Sequence, residues 1–193
     1  MSGVVEDRGR RCLTVVFGIG VLLGLTLGAR RQALADGLPT SDADQFFDRG
    51  VRATQTGDYE AALAAFQESE RLEPNPDSVW NIGLCHRALG NVAASANAFS
   101  LYADMAGADL TDEEQWQIDT VLSELAPRVG RLVIVGAEDG ARIEIDGTMA
   151  ATAPPPEWIA VEPGRHEVAA GGAGMAPARA TVDVAAGEVL RVE

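Results

Sequence analysis

The 193-residue chain contains no lysine, two cysteines, two histidines and few aromatics, which make up 5% of it. Each scarcity excludes something. A phosphate loop needs Lys-Ser/Thr after its glycines, so Gly171-Gly172-Ala173-Gly174 is read as a flexible loop between strands. His86 and His166 fall in different halves, and neither has a cysteine or a second histidine at ligand spacing, which excludes a zinc site. No serine sits in a nucleophile elbow, and the carboxylates are scattered as a solvated helix surface would scatter them. The chain is therefore expected not to be an enzyme and to need no cofactor or metal.

Acid is plentiful: 29 Asp and Glu stand against 15 basic residues, all of them arginine, for a net charge of −14. Such a field repels nucleic acid and anionic headgroups and favours basic partners. The N-terminal segment reads differently. Arg8, Arg10 and Arg11 precede an uncharged, mostly apolar run from Leu13 to Ala29, and Ala33-Leu34-Ala35 offers the small-x-small pattern of a signal-peptidase site. Residues 1–35 are expected to be a signal peptide cleaved before Asp36, with an uncleaved signal anchor as the alternative. The run is near the lower limit for a span, and Gly20, Gly24 and Gly28 have helix-pairing spacing. Cleavage leaves 27 of the acids and 10 of the arginines, a net charge of −17, and a single cysteine, Cys85. No intramolecular disulfide is then possible, and Cys85 is expected to be a buried packing residue.

Beyond a linker at 36–42 the chain has two grammars. From Ser41 to Ala126 it is alanine-rich with helical period, and from Val129 onward it is rich in Gly, Val and turn residues. Caps divide the first region into five helices. Ser41 with Asp44 opens the first, Asp58 the second, and Asn75-Pro76 the third; Gly90-Asn91 turns into the fourth, and Thr111 with Glu114 opens the fifth. Gly50, Gly57 and Phe66 recur as Gly83, Gly90 and Phe99, each 33 residues on, the period of a stacked helix-pair repeat. In the second region, strands are expected around 132–135, 142–146, Val168, 182–184 and 189–192. Asp139-Gly140, Asp146-Gly147, Pro163-Gly164 and Ala186-Gly187 supply the turns, as in a small antiparallel β-sandwich. The expected fold class is therefore α plus β in separate domains.

Residues 43–108 resemble two tetratricopeptide repeats, 43–76 and 77–108. The first carries Gly50, Ala53, Gly57-Asp58-Tyr59, Ala62, Phe66 and Pro74; the second carries Trp80-Asn81-Ile82-Gly83, Gly90-Asn91, Phe99 and Tyr102. The second departs from the pattern at Ser95 and His86 and lacks the terminal proline. Residues 111–126, with Trp116, Ile118, Val121, Leu122 and Leu125 as an apolar stripe, read as a capping helix. The β domain or self-association could cover further apolar surface. Residues 129–193 resemble a PEGA domain through Gly140-Ala141-Arg142-Ile143-Glu144-Ile145-Asp146-Gly147, Pro154-Pro155-Pro156 and Val161-Glu162-Pro163-Gly164-Arg165-His166-Glu167-Val168.

The resemblance implies an exported bacterial adaptor of the periplasm or cell envelope, anchored to the inner membrane if the signal stays on. The first helix of each pair would line a concave groove. By that mapping Phe47, Val51, Trp80 and Leu84 form an apolar strip, Asn81 matches a backbone-binding position, and Arg87 is the one well-placed basic residue. The partner would be a protein or peptide, and not nucleic acid. Two other outcomes stay open: the fifth helix covers the strip, or the β part binds cell-wall polysaccharide. The second is weakened because Trp158 is the one aromatic that region offers for ring stacking.

Overall fold

Capping chemistry sets the helix boundaries. A computed structural model describes residues 41–172 and 178–193; the expected signal segment, residues 36–40 of the linker, and Ala173 and Gly174 of the loop expected at 171–174 lie outside them, while Gly171 of that loop belongs to a strand. The described helices are α1 (Asp42–Gln55), α2 (Tyr59–Leu72), α3 (Pro76–Leu89), α4 (Val92–Ala106) and α5 (Asp112–Leu125), followed by strands from residue 130. Ser41 and Asp44 close a reciprocal capping box on α1, and Thr111 and Glu114 close one on α5. Asp58 and Asn75 cap α2 and α3 through their side chains. Gly90 ends α3 at φ 81°, a left-handed conformation that a Cβ would disfavour. None of the described helices is long and apolar enough to cross a membrane.

The helices pack as consecutive neighbours: α1 on α2, α2 on α3, α3 on α4 and α4 on α5. The 33-residue period is visible in side-chain geometry. Phe47 meets Phe66 edge-on with centroids 5.3 Å apart, and Trp80 meets Phe99 likewise at 4.9 Å. Beneath each inner ring lies a glycine. A Cβ on Gly50 would fall 2.7 Å from the Phe66 ring, and one on Gly83 would fall 3.0 Å from the Phe99 ring. Ser95, the departure from the repeat pattern, is fully buried and donates its hydroxyl to the Gly83 carbonyl at 2.9 Å. A buried hydroxyl is thereby satisfied, so serine is tolerated where alanine is usual.

Gly50→Ala is expected to lower stability by about 1–2 kcal/mol, the net of overpacking against Phe66 and a gain of helix propensity. Gly83→Ala, with more room, is expected to cost less. Urea denaturation of the two variants checks the order, and a Gly50→Ala protein as stable as the parent would remove the close-approach argument.

The C-terminal part consists of β1 (Gly130–Ile134), β2 (Arg142–Ile145), β3 (Thr148–Thr152), β4 (Ile159–Val161), β5 (Gly164–Gly171), β6 (Ala178–Val184) and β7 (Val189–Val192). They form two sheets, ordered β4-β1-β7 and β3-β2-β5-β6. Leu132, Ile143, Ile159, Val168, Val184 and Val192 bring one buried cluster together from both sheets. The expectation of a wholly antiparallel arrangement is corrected: β1 and β7 pair in parallel, with Leu132 opposite Leu190. The chain leaves the three-stranded sheet twice, each time for two consecutive strands of the other sheet, and its first and last strands lie side by side in the three-stranded sheet. Asp146-Gly147 forms the expected two-residue hairpin turn, with both residues at positive φ, 53° and 75°.

The two parts share a core. Val129, Ala160 and the half-buried Trp158 pack with Val92, Ala96, Phe99, Val121 and Leu125. Asn97 of α4 lies along the edge of β4, accepting from the Ala160 N–H at 2.7 Å and donating to the Ala160 carbonyl at 2.9 Å. One side-chain amide thus satisfies an edge strand that would otherwise expose both groups.

Candidate functional site

The six residues expected in the groove lie on α1 and α3, and all are half-buried. They fall into two groups. Phe47 and Val51 pack with Ala62 and Phe66 of α2 and with Cys85 of α3. Trp80 and Leu84 pack with Phe99, Val121 and Leu125, so α5 and α4 share the space beside the α3 half of the strip. The Trp80 ring also lies 5.1 Å from that of Tyr102. Arg87 is joined to Glu124 of α5 at 2.6 Å, and Asn81 donates to the Asp77 carbonyl one turn back in its own helix at 2.7 Å. Both polar candidates therefore spend hydrogen-bonding capacity inside the molecule.

Trp116 differs from its expected place. Instead of completing the buried stripe of α5 it is 60% exposed, while Ile118, Val121 and Leu125 are buried. The reason is helical period: residues 118, 121, 122 and 125 share one face, and a side chain two positions earlier points elsewhere. Leu101 on α4 is also exposed, at 48%. Around Tyr102, burial first, and then the charges of Glu114 and Asp77, push the phenol above its ordinary pKa. The helical surface near Trp80 therefore combines aromatic rings with carboxylates from α3 and α5.

Cys85, His86 and His166 each have contacts within the fold. Cys85 is buried, and desolvation raises its thiol to about 11, so it is protonated at neutral pH. Burial lowers the pKa of His86, whose Nδ1 is 3.4 Å from the Asn91 amide nitrogen. His166 has both ring nitrogens engaged, Nδ1 with Asp146 and Nε2 with the Glu162 carbonyl, each at 2.6 Å. Among the described residues no group of three or more His, Cys, Asp or Glu could hold a metal ion. Trp158 packs against the helical part instead of standing out for a sugar ring.

Sequence reasoning passed over two features here. The Asn97–Ala160 pairing joins residues 63 apart and leaves no local signal. The Asp146–His166–Glu162 chain had a faint one, a histidine on a strand close to an Asp-Gly turn. Comparison of the chain with protein-family models, curated proteins and solved structures finds no match.

Proposed function

We propose that the protein is an exported, non-enzymatic adaptor of the bacterial cell envelope that recruits a protein or peptide through its helical part. On this reading α1–α2 and α3–α4 are tetratricopeptide repeats, α5 caps them, and residues 129–193 are a PEGA-like module that positions them. The observation that carries it is the recurrence of one packing unit after 33 residues: glycine under a phenylalanine ring, with a second aromatic edge-on to it. Stacked units of this kind bind by shape and apolar contact along their first helices. Phe47, Val51, Trp80, Asn81, Leu84 and Arg87 lie on those helices, and exposed Trp116 adds an aromatic of the type that anchors interfaces. The net charge of −14 favours a basic partner.

Trp116→Ala and Arg87→Gln separate recognition from packing, because Trp116 is exposed and the ion pair of Arg87 with Glu124 is part-exposed and weak, so its loss without charge reversal costs little. Tagged protein recovered from its native envelope is expected to carry a protein partner that both variants lose, with melting temperatures close to the parent's. Recovery of the same partner with both variants would end the groove reading. Sedimentation with insoluble peptidoglycan, unaccompanied by any protein partner, would favour the polysaccharide reading instead.

A further inference from the structure

The N-terminus of α4 is capped from the other half of the molecule. Asn91, at its N-cap, makes no side-chain capping bond, and the first turn carries no acid. The Ala93 N–H instead donates to Glu162 Oε1 at 3.1 Å, from the loop between β4 and β5. A carboxylate there both satisfies an otherwise orphaned N–H and faces the positive end of the helix.

The backbone of that same residue is held by His166. Nε2 of the ring is 2.6 Å from the Glu162 carbonyl, and Nδ1 is 2.6 Å from Asp146 Oδ2. The other oxygen of Asp146 accepts the Glu167 N–H at 2.9 Å. The ring side chain is 11% exposed. Both partners of the imidazole are acceptors, and a neutral imidazole donates from one nitrogen only. The arrangement is therefore complete only with the imidazolium. On deprotonation the carboxylate keeps the proton on Nδ1, the stronger charge-assisted bond, and Nε2 presents a lone pair to the Glu162 carbonyl.

We propose that His166 is a pH-operated latch between the two parts: protonated, it ties the Asp146-Gly147 turn to Glu162 and so to the N-terminus of α4, and deprotonated, it releases the Glu162 loop and weakens that cap. Three acidic residues lie about the ring: Asp146 from the turn after β2, Asp183 on β6, and Glu162, whose carboxylate is committed to Ala93. Arg165 and Glu167 flank it on its own strand, and Arg165 is opposite Asp183 in the register. Burial opposes the charge on His166. The bonds to Asp146 and the Glu162 carbonyl, with the charges of Asp146 and Asp183, outweigh it and hold the pKa above the ordinary 6.5. The His166 and Glu167 bonds hold Asp146 below the ordinary 3.8.

The signs define a window. A raised histidine pKa gives stabilisation that is complete below 6.5, the unfolded value, and lost as pH rises through the folded value. A lowered aspartate pKa gives stabilisation that is present above 3.8 and lost as pH falls through the folded value. The latch is closed between the two folded midpoints and opens on the alkaline side.

A nuclear magnetic resonance titration of the full chain tests this, following both imidazole rings and the Ala93 amide. His166 is expected to titrate above 6.5 and His86 below it, with the Ala93 resonance shifting at the His166 midpoint. Asp146→Asn retains a residue that tolerates the positive φ of the turn and removes the charge. In that variant the His166 midpoint and the Ala93 shift are expected to fall together. If the variant does not fold, the parent titration decides alone. An Ala93 resonance that ignores the His166 titration, or a His166 midpoint at or below that of His86, would overturn the latch.

Discussion

Phe99→Ala is expected to cost about 3–5 kcal/mol, a large part of the stability of a domain of this size. Phe99 is fully buried and lies where three packing relationships meet. Its ring closes over Gly83, which has no Cβ to follow it when the ring is removed. It holds Trp80 edge-on at 4.9 Å, so truncation leaves a second large ring without its partner. It belongs to the cluster that includes Val129 and Ala160 of the β part, so the cavity opens toward the junction of the two halves. The backbone there can collapse little, because Ser95 already fixes the approach of α4 to α3 through the Gly83 carbonyl. Calorimetry or urea denaturation followed by helical circular dichroism gives the measurement. A loss below about 1 kcal/mol would mean that the helix pairs are held by something other than these rings.

The part of the fold legible in the sequence is the part decided locally. The boxes Ser41–Asp44 and Thr111–Glu114 are closed by side chains three residues apart, so the residue order alone places the starts of α1 and α5. The glycine–phenylalanine pairs are local to one helix pair, and their repetition makes them readable. Cys85, read as a packing residue, is indeed buried. The features that escaped are non-local or lack a pattern. The parallel pairing of β1 with β7 joins the two ends of the C-terminal region. In β3, Thr148–Thr152, four residues are exposed and the expected alternation is missing. The three residues of β4 are all buried, with Ala160 lying in the cluster shared with α4 while Ile159 and Val161 lie in the core between the sheets, so no two-residue period shows. Trp116 is apolar but out of phase with the buried face of α5, so its residue type alone does not tell that it is exposed. In the candidate groove, the sequence placed six residues on two helices, but the engagement of Arg87 by Glu124 depends on a residue 37 positions away.

Capping across the junction and a shared cluster give the two halves a common fate. Ala93 takes its cap from Glu162, and Asn97 takes both groups of Ala160. Each bond contributes about 1 kcal/mol net, but breaking the junction leaves part-buried donors and acceptors unmet, which costs more per group. A change in the β core should therefore be felt in α4.

Leu132→Ala makes that measurable. Leu132 is fully buried at the centre of the three-stranded sheet, opposite Ile159 of β4 on one side and Leu190 of β7 on the other. Its side chain fills the space between the sheets with Ile143, Val168 and Val184, and its loss is expected to cost about 2–5 kcal/mol. The cost need not stay in the β part. Ile159 adjoins Ala160, whose backbone is held by Asn97, so loosening β4 pulls on α4. The expected result is one transition, shifted to lower temperature, in which helical circular dichroism and tryptophan fluorescence change together. Two separated transitions, with the helical one unmoved, would show that the shared cluster joins the halves too weakly for them to unfold as one, and α4 would then keep its structure without Glu162 and Asn97 in place.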